Sequence, residues 1–183
     1  MKKGLLIIDV QNDYFEGGKM ELQNSKEALD NIIKLKELFK QQKLPIFYIQ
    51  HIKRDTSPGF FKEGTSGADI HSRLIPITSN EYIIQKEFPN SFLRTTLQDK
   101  LEEESVEQLV ICGMMTHMCV DSTTRKAKEL NFSPILIHDG CATIDLLILG
   151  KTILAKNVHL SFISALTNFA EVKSTEEYLR KFI

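Results

Sequence analysis

The chain has 183 residues, 42% hydrophobic and 26% charged, enough to bury one full core and too few for a second domain of ordinary size. Its 23 basic residues offset 24 acidic ones to a formal net charge of -1, which excludes a general electrostatic pull toward nucleic acid or a membrane surface. Three cysteines, an odd number, argue against a disulfide framework and for a reducing compartment, the cytoplasm by default.

The apolar run Gly4 to Val10 reads as a central parallel strand covered on both faces, interrupted by Asp9. That interruption, with no small-residue cleavage site after it, argues against a signal peptide. No stretch approaches the roughly 18 apolar residues of a membrane span. A helix follows from Ser25 to Lys43, with Ala28, Leu29, Ile32, Ile33, Leu35, Leu38 and Phe39 in a helical stripe. Asn24, with Glu27 three residues on, is its expected cap, and the lysines from Lys34 to Lys43 its wet face. Pro45 to His51 is the next strand. The stretch 52–80 is too long and too rich in Gly, Pro and Ser for a plain connection, and reads as a lid or contact surface.

Strand Glu81 to Lys86, helix Ser91 to Glu104, strand Leu109 to Gly113, helix His117 to Leu130 and strand Ser133 to His138 come next. A helix Thr143 to Leu166, a short strand Ala170 to Lys173 and a last helix opened by Ser174, with Glu177 completing a capping box, finish the chain. Strands alternating with helices predict an α/β fold: a three-layer α/β/α sandwich around a mostly parallel six-stranded sheet, in one domain over 1–183.

Three polar residues stand out against this frame. Asp9 ends the first strand, where a carboxylate without partners is expensive to bury. Lys86 ends another. Cys119 falls in the first turn of the helix after Leu109 to Gly113, where free amides and the helix dipole are expected to lower a thiol pKa toward neutrality. All three would then meet at the carboxyl edge of the sheet, the edge at which open α/β sheets bind ligands. Cys112 and Cys141 read as packing. The five histidines show no spacing that places two on one helical face, and neither a metal nor another cofactor is expected.

Asp9 in Ile-Asp-Val-Gln-Asn-Asp-Tyr-Phe, Lys86 in Gln-Lys-Glu-Phe-Pro-Asn-Ser-Phe and Cys119 in Gly-Met-Met-Thr-His-Met-Cys-Val, in that order, resemble the isochorismatase-like cysteine hydrolases. The resemblance runs from about residue 4 to 145 and includes Gly64-Thr65-Ser66-Gly67, similar to the family's Gly-Thr-x-Gly segment. It implies a Rossmann-like fold and a catalytic triad of Asp9, Lys86 and Cys119. It also implies a non-proline cis peptide between Met114 and Met115, the Met115 and Cys119 amides facing a developing oxyanion. Tyr14 takes the family's aromatic position after the Asp motif and, with Phe60, is the expected pocket wall. Gln11 is a further candidate for the site, or fixes the turn. Family members are commonly dimers or tetramers, so a homo-oligomer acting on a small molecule is expected.

Nicotinamidases carry an Asp-x-His metal set that Gln50-His51-Ile52-Lys53 lacks, and vinyl-ether hydrolysis depends on the acid rather than the thiol. A retained Cys119 favours a small amide or related acyl substrate, with isochorismatase-type hydrolysis as the alternative. A non-enzymatic ligand-binding α/β domain is the rival class, but no glycine-rich phosphate loop follows the first strand. Alanine at Cys119 or Asp9 is expected to abolish turnover with the fold intact.

Overall fold

The computed structural model describes residues 1–55, 59–76 and 78–182; positions 56–58 and 77 of the 52–80 stretch lie outside them. The strands of the main sheet are β1 (Lys3–Ile8), β2 (Ile46–His51), β3 (Glu81–Lys86), β4 (Gln108–Met114), β5 (Ser133–Ala142) and β8 (Glu171–Lys173). Between β5 and β8 lies a separate antiparallel hairpin of β6 (Leu146–Ile148) and β7 (Lys151–Ile153). The helices are α1 (Ser25–Gln41), α2 (Leu97–Glu103), α3 (Asp121–Glu129), α4 (Ala155–Leu166) and α5 (Thr175–Leu179).

The sheet order is β3-β2-β1-β4-β5-β8, every pair parallel. Strand order therefore reverses between β1 and β4, and the crevice at their carboxyl ends is where such sheets hold ligands. Side chains alternate across the sheet with period two. Leu5, Ile7, Ile46, Tyr48, Val110 and Cys112 pack with the α1 stripe and Tyr178 of α5 on one face. Leu6, Ile8, Phe47, Ile49, Leu109 and Ile111 pack with Leu97 and Leu101 of α2, Ala127 of α3 and Leu166 of α4 on the other. The result is the expected three-layer sandwich.

Several local expectations fail for identifiable reasons. The helix predicted from Ser91 begins only at Leu97. Before it, Asn90 Oδ1 accepts from the Phe92 amide at 2.9 Å, Thr95 donates to the Ser91 carbonyl at 2.6 Å, and Ser91 pairs with Thr123 Oγ1 at 2.8 Å. Such short polar side chains compete with helical backbone bonds. The helix predicted from Thr143 is replaced up to Ile153 by the hairpin, whose turn at Leu149-Gly150 has φ of 50° and 71° at its two central residues, the backbone a tight hairpin requires. Asn24 precedes α1 with φ 58° and no side-chain cap. Lys36 is not on a wet face: it is buried, its Nζ 3.9 Å from Glu81 Oε2 and 3.1 Å from the Ile75 carbonyl. The capping box of Ser174 and Glu177 forms as expected.

Candidate active site

Four adjacent strands deliver the site. Asp9 follows β1 and turns the chain at φ 51°, a region few residues other than glycine occupy. Lys86 is the last residue of β3, in register with His51, the last residue of β2. Because β2 lies between β1 and β3, His51 ends the strand that separates those of the acid and the lysine. Near the end of β4, Gly113 has φ 128°, and a Cβ there would lie 2.1 Å from the Ile8 carbonyl oxygen. Only glycine lets β4 come this close to β1. The Met114–Met115 peptide that follows is cis.

Cys119 does not sit in the first turn of an α-helix. Residues Thr116–Val120 form a π-helical turn, and α3 starts after it; such turns are rare and often occur at functional sites. The Met115 carbonyl accepts from both the Met118 and Val120 amides, at 3.1 and 3.3 Å. Cys119 is thereby turned toward the core face that holds Ile8 and Cys141, and is 3% exposed.

The charged groups converge. Lys86 Nζ lies 2.8 Å from Asp9 Oδ2, with both side chains wholly buried. Two further Lys86 hydrogens go to the Phe88 and Pro89 carbonyls at 3.1 and 3.0 Å. Neither Asp9 oxygen has a well-directed hydrogen bond among the described residues, so the contact with Lys86 is an ion pair with acceptor capacity left over. His51 Nδ1 lies 3.8 Å from Asp9 Oδ2 and 3.9 Å from Cys119 Sγ.

Burial alone would raise the Asp9 carboxyl, but the Lys86 ammonium, with His51 and the Cys119 thiol, outweighs it and holds the group below the usual carboxylate range. Burial would lower Lys86, and the Asp9 charge reverses that. Cys119 goes the other way: burial and then the Asp9 carboxylate push the thiol up, against the pull of Lys86. The low pKa expected from a helix terminus is therefore not what this fold produces. Burial and the Asp9 charge thus favour the thiol form of Cys119, while the Lys86 ammonium favours the carboxylate form of Asp9.

Gln11 is fully buried and bonded to backbone on three sides: its Nε2 donates to the His51 and Ala68 carbonyls at 2.9 and 2.7 Å, and its Oε1 accepts from the His51 amide at 2.8 Å. It clamps the end of β2 to the loop, so its expected place among substrate-contacting residues gives way to the turn-fixing one. Tyr14 packs edge-on against Phe61 at 4.6 Å and near Phe60 at 5.8 Å. Burial, then Asp9, Cys119 and Asp13, raises its phenol, which places it in the same electrostatic neighbourhood. Phe60 is half-buried, with Lys53 Nζ 3.7 Å above its ring.

Two residues had escaped sequence reasoning. His51 was weighed only as half of an absent metal motif, although its position at a strand end gave the same signal as Asp9 and Lys86. Asp13 accepts from the Phe61 amide at 2.7 Å and the Lys19 amide at 3.1 Å. A Cβ on Gly67 would stand 2.2 Å from its Oδ1, so Gly67 makes room for this anchor of the 59–69 loop. Cys112 and Cys141 are buried as expected; burial pushes the Cys141 thiol up to about 12. His117 bonds Thr143 Oγ1 at 2.6 Å.

A cleft of about 290 Å³ beside Arg54, Glu87, Phe88 and Arg94 includes Lys86 in its lining. A roomier cavity of about 490 Å³ between α1, the end of β5 and α4 includes none of Asp9, Lys86 and Cys119. Volume alone does not find the chemistry here. Asp9, His51 and Cys119 offer three possible metal-ligand atoms within 4.8 Å of one another. The Lys86 ammonium already holds the Asp9 oxygen at 2.8 Å, so a divalent ion would face an adjacent positive charge, and the donor set does not fit one.

The sequence matches the Isochorismatase domain family over residues 3–177. It is 44% identical over 181 residues, 98% of this chain and 100% of the relative, to the isochorismatase family protein YddQ of Bacillus subtilis (strain 168). It is 28% identical to a streptothricin hydrolase of Streptomyces noursei, covering 79% of this chain and 51% of that protein. Among solved structures it resembles a putative isochorismatase hydrolase from Oleispira antarctica, with a TM-score of 0.93, 39% identity and coverage of 98% and 96% of the two chains. No helix among the described residues is long and apolar enough to cross a membrane.

Proposed function

The chain belongs to the isochorismatase family of hydrolases, and from that premise we propose that it cleaves a small amide or related acyl substrate through a thioester on Cys119. The observation that carries this reading is a fully buried Asp9–Lys86 ion pair, 2.8 Å apart, gathered with a nucleophile-bearing turn at the reversal point of the sheet. Burying two charges is costly, and their burial at the reversal point of the sheet supports a chemical use.

In this reading the thiol proton passes to Asp9 as the sulfur adds to the substrate carbonyl, while Lys86 holds the negative charge. The amides of Met115 and Cys119 receive the oxyanion. The proton held on Asp9 goes to the leaving amine, and water then hydrolyses the thioester with Asp9 again taking a proton. Tyr14 and Phe60 wall the substrate. Amide rather than vinyl-ether cleavage is favoured because the cysteine is retained next to the acid, and it is supported by the relative named for streptothricin hydrolysis. The three unpaired cysteines favour the cytoplasm.

Self-association belongs to the same proposal. Leu147, Ile148 and Leu149 of the hairpin are 75%, 57% and 93% exposed, with Leu154 and Leu160 beside them in sequence also exposed. A concentration of exposed apolar side chains of this kind suits burial against a second copy. The test of the activity is a screen of small amides, ureides and carbamoyl compounds by ammonia release, with acid-quenched mass analysis of Cys119. A substrate-derived acyl mass on that residue, and at least a thousandfold loss in Cys119→Ala, are expected. Activity of Cys119→Ala within threefold of wild type would end the assignment.

A further inference from the structure

We propose that His51 is a fourth catalytic residue, the station through which the Cys119 proton travels to Asp9; the proposal rests on the hydrolase reading above and adds a group to it. The His51 backbone is fixed from both sides by Gln11, whose Oε1 accepts from its amide at 2.8 Å and whose Nε2 donates to its carbonyl at 2.9 Å. Its ring is 10% exposed at the side chain, lies 6.0 Å from the Phe61 ring, and presents Nε2 to the Glu87 carbonyl at 3.2 Å.

A carbonyl only accepts, so Nε2 carries a hydrogen, and in the neutral ring Nδ1 then holds the lone pair. That lone pair faces Cys119 Sγ at 3.9 Å and Asp9 Oδ2 at 3.8 Å. It adjoins both proton donor and proton acceptor, the three atoms lying within 4.8 Å of one another. Catalytic hydrogen bonds of this kind are commonly long before substrate binds and tighten in the complex.

The step balances without an added reagent. The Sγ–H bond breaks and its proton joins Nδ1, while the sulfur electron pair forms the bond to the substrate carbonyl carbon and the carbonyl π pair moves to oxygen. The imidazolium so formed lies against the Asp9 carboxylate, which takes the Nδ1 proton and restores the neutral ring. On collapse of the adduct, the C–N bond breaks and the proton on Asp9 goes to the departing nitrogen. The ion pair with Lys86 makes Asp9 a weak base toward a buried thiol. Asp9 and Cys119 lie against Nδ1, and Lys86 is paired with that same Asp9 oxygen.

Iodoacetamide alkylation of the full-length protein at pH 7, mapped by mass spectrometry, tests this without a substrate. Cys119 in the wild type is expected to react at least tenfold faster than Cys112 and Cys141, and His51→Gln is expected to lower the Cys119 rate at least tenfold. Fast wild-type labelling with His51→Gln within threefold of it overturns the relay and leaves the hydrolase reading standing. Wild-type labelling of Cys119 no faster than that of the other two cysteines overturns both. If His51→Gln does not fold, nitrogen-15 chemical shifts of His51 in the wild type decide: an Nε2–H tautomer is expected, and an Nδ1–H tautomer overturns the proposal.

Discussion

Removing the charge of Asp9 should destabilise the protein because it strands Lys86. The two groups lie 2.8 Å apart with no exposed side-chain surface, and at an effective dielectric of about 20 unit charges so placed attract by about 6 kcal/mol. In Asp9→Asn that attraction goes, while the Phe88 and Pro89 carbonyls still receive the ammonium. The expected loss is therefore at the lower end of the range for a broken buried pair, about 3 kcal/mol, or about 6–12 °C in Tm for a chain of this size. Asparagine is the substitution of choice because it tolerates the positive φ of Asp9.

Urea unfolding at pH 7 of wild type, Asp9→Asn, Lys86→Met and the double variant gives the coupling energy, expected to be at least about 2 kcal/mol with the double variant more stable than Asp9→Asn. The folded Asp9 pKa is below its unfolded value, so its contribution is full above about pH 5 and is lost as pH falls through the folded value. The folded Lys86 pKa is raised, so its contribution is full below the unfolded pKa and is lost as pH rises through the folded one. Stability of Asp9→Asn within about 1 kcal/mol of wild type, or additive single variants, would refute the reasoning about a buried pair.

Three other perturbations probe the frame. Gly113→Ala puts a Cβ 2.1 Å from the Ile8 carbonyl oxygen at φ 128°; a loss of at least about 3 kcal/mol in urea unfolding is expected, and a near-neutral result would mean β1 and β4 are not so tightly apposed. Asp13→Ala removes the acceptor of the Phe61 amide and should cost about 1.5–3 kcal/mol and increase proteolysis within 59–69, whereas unchanged cleavage would disprove the anchor. Leu149→Asp, at a site 93% exposed, should lower the mass measured by analytical ultracentrifugation without shifting monomer unfolding; an unchanged mass would remove the hairpin from any interface.

The chain order of elements was legible because strands buried on both faces leave continuous apolar runs, and α1 leaves a helical stripe. Asp9 and Lys86 were legible for the same reason, because a polar residue closing such a run breaks the pattern; Cys119 was legible from its place where a strand gives way to a helix. What misled was local sequence whose conformation is decided by contacts far along the chain. Ser91 looked like a helix start until Thr123 bonded it, and Lys36 looked solvated until Glu81 and the Ile75 carbonyl closed over it.

By itself the sequence determined the strands of the sheet and the three candidate site residues, since periodicity and the cost of burying charge are properties of short segments. Only the tertiary structure decided how those residues behave. The placement of β2 between β1 and β3 brought His51 into the site, and the π-helical turn buried a thiol expected at a helix terminus. A pKa depends on neighbours within a few ångströms, and here Lys86 follows Asp9, and Cys119 follows Lys86, only after long stretches of chain.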